Sequence, residues 1–188
     1  MYHVSSDKRV QRSATLITQG FHDCLLKKNY QDITVSDILK ASTVGRATFY
    51  RLFDSTRDIL EYECDLMFAQ INSRSSTDKS AKENLLLDIV TFMQHDILLE
   101  ALVKSQQTSI ISDAEQRHIE HNALFQNIES ISGYERDFYM STLTYLLVST
   151  LSTWIKHDKK EDAIELFSAL QTAIHMVDKT IENIANQK

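Results

Sequence analysis

Ile38-Leu39-Lys40-Ala41-Ser42-Thr43-Val44-Gly45-Arg46-Ala47-Thr48-Phe49-Tyr50-Arg51-Leu52-Phe53 reads as two short helices separated by a tight turn, the second of them aromatic and basic. This is the layout of a helix-turn-helix. Phe49 and Phe53 stand four apart, so on a helix they share a face and bury together, leaving Arg46, Thr48, Tyr50 and Arg51 to point elsewhere. A short helix that buries two phenylalanines and turns arginine, hydroxyl and phenol outward suits the groove of double-stranded DNA.

The flanking sequence supplies the frame for such a module. Val10, Ala14, Ile17, Phe21 and Leu25 repeat at threes and fours, which predicts a first helix from about Asp7 to Lys28, closed by Asn29 in the left-handed conformation. Lys8, Arg9 and Arg12 at its start are either phosphate contacts or a solvated helix end. Thr34 is placed to cap a helix over Val35–Ala41. Ser55, with Asp58 three residues on, predicts the start of a fourth helix that runs through Ile59, Leu60, Tyr62, Leu66, Met67 and Ile71.

Residues from about Lys8 to Leu60 resemble the DNA-binding domain of the tetracycline-repressor (TetR) family of bacterial regulators. The resemblance rests on the long first helix, on Tyr30-Gln31-Asp32-Ile33-Thr34-Val35 leading to Ile38, on Thr48-Phe49-Tyr50-Arg51-Leu52-Phe53, and on Ser55 opening the fourth helix. Three positions depart from the family pattern. The turn that usually carries Gly-Val-Ser is Thr43-Val44-Gly45 here, which moves the glycine to the cap of the second helix. A lysine usual near the start of the fourth helix is Thr56, and Arg57 is its nearest substitute. The resemblance, together with placement, implies DNA contacts at Thr34, Ser36, Gly45, Arg46, Ala47, Thr48, Tyr50, Arg51 and Arg57. Arg46, Ala47 and Thr48 fall where base edges would lie; Thr34, Tyr50 and Arg57 fall where phosphates would.

Composition agrees with an all-α chain. Among 188 residues there is no Pro and Gly occurs only at 20, 45 and 133, so little punctuates hairpins or long loops. The formal net charge of −6 is unevenly spread. Residues 1–60 carry nine Lys/Arg against six Asp, and residues 61–188 carry eleven against twenty acidic groups. The basic excess therefore sits on the proposed DNA module. Cys24 and Cys64 are forty residues apart without a paired-cysteine motif, so no zinc site or disulfide framework is indicated; Cys24 reads as a small core residue or, alternatively, as part of a redox switch with Cys64. Met1–Asp7 lacks the apolar core of a secretory signal, and a cytoplasmic location is expected.

After the polar stretch Asn72-Ser73-Arg74-Ser75-Ser76-Thr77-Asp78, the pattern predicts a helix from Lys82 to about Val103, then a shorter pair over Ser105–Asp113 and Ala114–Ser130, broken at Ser132-Gly133. Phe138–Ile155 holds eighteen residues without a charge, a length that touches the membrane-spanning range. Seven of them are Ser or Thr, so a core helix covered on two sides is the better reading, and no membrane contact is expected. In the last helix Phe167, Leu170, Ile174, Val177, Ile181 and Ile184 are spaced 3, 4, 3, 4, 3, a heptad seam. The seam serves either an intramolecular core or, as the family resemblance implies, a two-fold homodimer interface built with Leu151, Trp154, Phe167, Leu170, Ile174, Val177 and Ile181.

No nucleophile elbow, phosphate loop or zinc-hydrolase signature is present in the sequence, and no catalytic set is assembled. Glu115, His118 and His121 are spaced three and three, but on a helix the outer two lie about 120° from the middle one on opposite sides, and a solvated face is favoured over a metal site. The resemblance implies an effector cavity in the middle helices, for which Phe92, Met93, Leu99, Leu124, Phe125, Tyr134, Phe138 and Tyr145 are the candidates, with His95 and His121 as polar punctuation; plain core is the alternative. The expected architecture is an all-α chain of about nine helices: residues 1–54 as a three-helix DNA-binding module, with the helix-turn-helix at about 34–53, and residues 55–188 as an effector-binding and dimerisation domain. The expected function is a ligand-responsive regulator, usually a repressor in this family, binding a palindromic DNA operator as a homodimer without cofactor or metal. A co-regulator that kept the fold but lost operator binding is the alternative.

Overall fold

In the computed structural model, residues 1–118 and 133–186 are described, and among them the chain forms nine α-helices, one short 3-10 turn and no strand. The helices are α1 (Lys8–Leu25), α2 (Val35–Ser42), α3 (Arg46–Leu52), α4 (Thr56–Arg74), α5 (Ala81–Gln94), α6 (Asp96–Lys104), α7 (Ser109–His118), α8 (Tyr134–Lys156) and α9 (Ala163–Ala185). No helix among the described residues is long and apolar enough to cross a membrane.

The fold divides into two compact units. The first unit takes in Met1–Gln70 and the chain from His95 through α7, so α6 and α7 pack with the helix-turn-helix module. The second takes in Ile71–Gln94 and the last two helices. This division requires the helix expected over Lys82–Val103 to break, and it does so at His95, where φ −103 and ψ 30 leave the helical region. The ring Nε2 of His95 lies 3.2 Å from Gln70 Oε1, and its carbonyl accepts the Leu99 N–H that opens α6. No Gly or Pro marks the break, so the 3.6 periodicity ran through it.

Within the first unit, α1 begins where Asp7 accepts the N–H groups of Arg9 and Val10 at 2.7 and 3.3 Å, supplying two partners that the first turn lacks. Its stripe Ala14, Ile17, Gly20, Phe21 and Cys24 is buried. The helix stops at Leu25 rather than Lys28, because the N–H groups of Lys27 and Lys28 both turn back to the Cys24 carbonyl. Asn29 is extended (φ −65, ψ 148) rather than left-handed, and a 3-10 turn at Tyr30–Asp32 follows. Cys24 and Cys64 are both buried and free, and burial pushes both thiols up, which disfavours the thiolate a redox switch needs. His22 of α1 reaches Glu63 of α4 at 2.8 Å; that bond raises the imidazolium pKa above its ordinary value, while burial raises the carboxyl.

Helices α1 and α2 approach each other closely at Gly20. A Cβ there would lie 2.7 Å from the Ser42 backbone nitrogen and 2.8 Å from its Cβ. Glycine is required here for space. Gly20→Ala gains about 1 kcal/mol of helix propensity, but it drives a carbon into backbone that cannot rotate away, a cost of about 1–3 kcal/mol. We expect a net loss of stability, read as a lower urea midpoint with an unchanged slope; a midpoint at or above that of the parent chain would contradict the close packing.

Candidate nucleic-acid interface

The helix-turn-helix is assembled from local rules and one exception. Thr34 caps α2 in a reciprocal box: its hydroxyl accepts the Asp37 N–H at 3.2 Å, while the Asp37 carboxylate accepts the Thr34 N–H at 3.0 Å and hydroxyl at 2.7 Å. Lys28 Nζ adds a third donor to Asp37 at 2.9 Å, and these bonds, the Thr34 backbone first, hold its carboxyl well below the usual carboxylate range. The Thr34 hydroxyl proton, expected on a phosphate, is thus committed to Asp37.

The exception is Thr43. It ends α2 at φ 57, ψ 15, the left-handed region that β-branched residues seldom enter. The structure therefore keeps the turn geometry of a glycine while the glycine itself stands two residues later. Gly45 caps α3 at φ −69, ψ 147 with no side-chain bond, and a Cβ on it would meet nothing within 4 Å. Its carbonyl accepts the N–H groups of Thr48 and Phe49 at 3.0 and 3.1 Å.

From this start α3 buries Phe49, Leu52 and, just past its end, Phe53, with the Phe49 and Phe53 rings 6.0 Å apart and Phe53 edge-on to Tyr62 at 5.7 Å. Arg46, Ala47, Tyr50 and Arg51 are exposed and Thr48 is half-buried beside them. Ser36 of α2 accepts from the Arg46 guanidinium at 3.3 Å, so the exposed residues of the two helices adjoin. Tyr50 is braced by its ring edge against Phe49 at 5.4 Å and still has 46% of its surface exposed. Arg57 is held differently from expectation: Nε donates to Glu61 and an Nη to Gln107, both at 3.0 Å, which draws its guanidinium along α4 and toward α7.

Among the described residues, the effector and metal candidates are not gathered into a site. Phe92 and Leu99 are buried, one in each unit, and Met93 is half-buried. Tyr134 and Phe138 are each 73% exposed and Tyr145 is 64% exposed, because none of the described helices covers that face of α8. The two-sided core helix expected at 138–155 is therefore buried on one side only, through Met140, Thr144, Val148, Leu151, Trp154 and Ile155. Leu124, Phe125 and His121 lie outside the described residues. Glu115 is buried and His118 is engaged by Asp65 at 3.1 Å, so this pair is not the solvated face that spacing favoured.

The dimer candidates divide. Leu151, Trp154, Phe167 and Leu170 are buried within the second unit, where α9 packs on α5 and α8, Lys82 sits over the Phe167 ring at 5.5 Å and the Trp154 indole donates to the Glu161 carbonyl at 3.0 Å. They are core residues of the subunit. Ile174, Val177, Ile181 and Ile184, the other half of the seam, are 41%, 51%, 61% and 65% exposed.

No family model matches the chain. The fold is nevertheless that of the TetR-type regulators: a TetR transcriptional regulator from Streptococcus agalactiae superposes with a TM-score of 0.64 at 23% identity, over 89% of this chain and 96% of that one. The dihydroxyacetone kinase operon activator DhaS superposes with a TM-score of 0.54 at 17% identity, over 90% and 96%. In sequence the chain is 32% identical over 97 residues to the helix-turn-helix-type transcriptional regulator YxbF of Bacillus subtilis, and 29% identical over 72 residues to the dhaKLM operon activator DhaS of Lactococcus lactis. It spans 25% and 38% of the length of those two relatives. The chain thus has a TetR-like, all-helical fold.

The strained turn gives a direct test of this geometry. A left-handed β-branched residue costs about 1–2 kcal/mol, against about 0.5–1 kcal/mol for the added freedom of glycine in the unfolded chain. Thr43→Gly should therefore stabilise the protein by a fraction of a kcal/mol to about 1 kcal/mol. A thermal or urea midpoint that falls would show that Thr43 is not held in that conformation.

Proposed function

We propose that the chain is a DNA-binding transcriptional regulator that reads an operator with α3 and works as a two-fold homodimer. The observation that carries this is the division of α3 into a buried face, Phe49 and Leu52, and an exposed face, Arg46, Ala47, Tyr50 and Arg51, with Ser36 of α2 beside Arg46. A two-turn helix that spends all its apolar side on anchoring leaves its other side for a groove, and the excess of Lys/Arg over the first sixty residues supplies attraction to phosphates. The sequence relatives, described as transcriptional regulators, match in part of the chain only, and DhaS is named as an activator. The direction of regulation is thus open between repression, usual in the family, and activation. An alternative, a co-regulator acting through protein contacts, is favoured by Arg57, whose guanidinium is spent on Glu61 and Gln107.

Selection of duplex fragments from random genomic DNA, followed by titration of the selected fragment at several salt concentrations, separates the two. Arg46→Ala and Thr48→Ala should relax base preference at particular operator positions and cost about 1–3 kcal/mol. Because Arg57 is already paired, Arg57→Gln should change the salt slope by less than the one unit that a free phosphate contact contributes. Retention of no fragment, or Arg46 and Thr48 variants that bind as the parent does, would turn the assignment to the co-regulator.

The second copy is assigned to the bare half of the α9 seam. Ile174, Val177, Ile181 and Ile184 line one face at heptad spacing that none of the described residues covers, an apolar strip that a two-fold partner would bury against itself. Val177→Asp should give a folded monomer by sedimentation, since the side chain is exposed within the subunit and only an interface would be penalised. A parent chain that sediments as a monomer at micromolar concentration, or a variant that stays dimeric, would remove this interface.

A further inference from the structure

The C-terminal end of α3 is tied to a segment far from it in sequence. The Leu52 carbonyl accepts the His3 N–H at 2.8 Å, so the residues before α1 lie across the end of the reading helix. The neighbouring Tyr2 sets its ring edge-on to Tyr62 at 5.1 Å, and its hydroxyl donates to Asp65 Oδ2 at 2.8 Å. Burial, aided by the Asp65 bond, pushes this phenol up to about 12, so it stays a donor.

Asp65 is buried on α4 and also faces α7. Arg117 places Nε 3.1 Å from Oδ1 and Nη2 3.1 Å from Oδ2, and His118 Nε2 lies 3.1 Å from Oδ1 with its ring stacked on Phe68. One carboxylate with about four acceptor directions thus receives donors from two stretches of chain, the segment before α1 and the end of α7. Such a group must be compensated, and the share that Tyr2 supplies depends on the share that α7 supplies.

We infer that Asp65 is a positioning residue for α3: it holds Tyr2, and through Tyr2 the His3 amide on Leu52, in a placement that depends on Arg117 and so on where α7 stands. The inference rests on the reading of α3 as the DNA reader, and it adds a specific path by which a displacement of α7 would reach that helix. The path lies wholly within the first unit.

The test is a double-mutant cycle on the full chain with Tyr2→Phe and Arg117→Gln, read as affinity for a duplex selected from genomic DNA and as hydrogen exchange at the His3 amide. Tyr2→Phe keeps the ring against Tyr62 and removes only the donor, so the fold is retained. Each single variant should weaken binding about threefold to tenfold without changing the salt slope, since Tyr2 and Arg117 are both engaged by Asp65 and neither is assigned to a phosphate. Both should speed exchange at His3. The double variant should be little weaker than the worse single one, and Arg117→Lys should restore part of the loss. Losses that multiply, a Tyr2→Phe variant that binds as the parent does, or an Arg117→Gln variant with unchanged exchange at His3 would overturn the inference. If the parent retains no duplex, the DNA-reading proposal fails separately, and the exchange at His3 in the Arg117 variant still decides the coupling.

Discussion

Everything proposed for this chain depends on the face of α3 that goes inward. Phe49 and Phe53 have no exposed surface and Leu52 almost none. Full burial contributes about 1.5–3 kcal/mol for each such side chain, whereas exposed arginine or tyrosine contributes little to folding. With α3 only seven residues long, fixing that face fixes the rotation of the helix, and Arg46, Tyr50 and Arg51 point outward as a consequence, with the Arg46–Ser36 bond and the Tyr50–Phe49 edge contact formed on top of it. The remaining packing of the first unit, with α2 pressed on α1 at Gly20 and Tyr62 edge-on to Phe53, holds that rotation in place.

The sequence made this part legible because each signal was local. Phe49 and Phe53 at four residues, Thr34 as a cap, and the stripe from Ala14 to Phe21 all act over one or two turns, and caps and stripes can be read from spacing alone. What escaped was non-local. Nothing in the periodicity of residues 82–103 shows that the chain leaves the helix at His95, because the break belongs to a bond with Gln70 and to the division of the fold into two units. Asp65, Tyr2, Arg117 and His118 come together from positions more than fifty residues apart, and no spacing rule connects them. Gly20 was visible only as one of three glycines in the chain; its need for a missing Cβ appears once Ser42 is beside it.

The last helix shows how a single pattern can serve two purposes. Spacing of 3, 4, 3, 4, 3 runs unbroken from Phe167 to Ile184, yet its first half is core of the second unit and its second half is bare. The seam is therefore core as far as Leu170 and exposed from Ile174 onward, and only the exposed half is left for the interface proposed above. On α8, Tyr134, Phe138 and Tyr145 are likewise uncovered among the described residues, where an effector cavity would have required them to turn inward.

The central claim is that the outward face of α3 lies against DNA. Photocrosslinking tests it at the level of one residue: p-benzoylphenylalanine in place of Tyr50, which is half exposed and held by Phe49, compared with the same group in place of Tyr145 on α8. In the presence of a duplex that the protein retains, the account predicts crosslinks to DNA from position 50 and none from position 145. DNA retained without a crosslink from position 50, or with equal crosslinking from both, would contradict it.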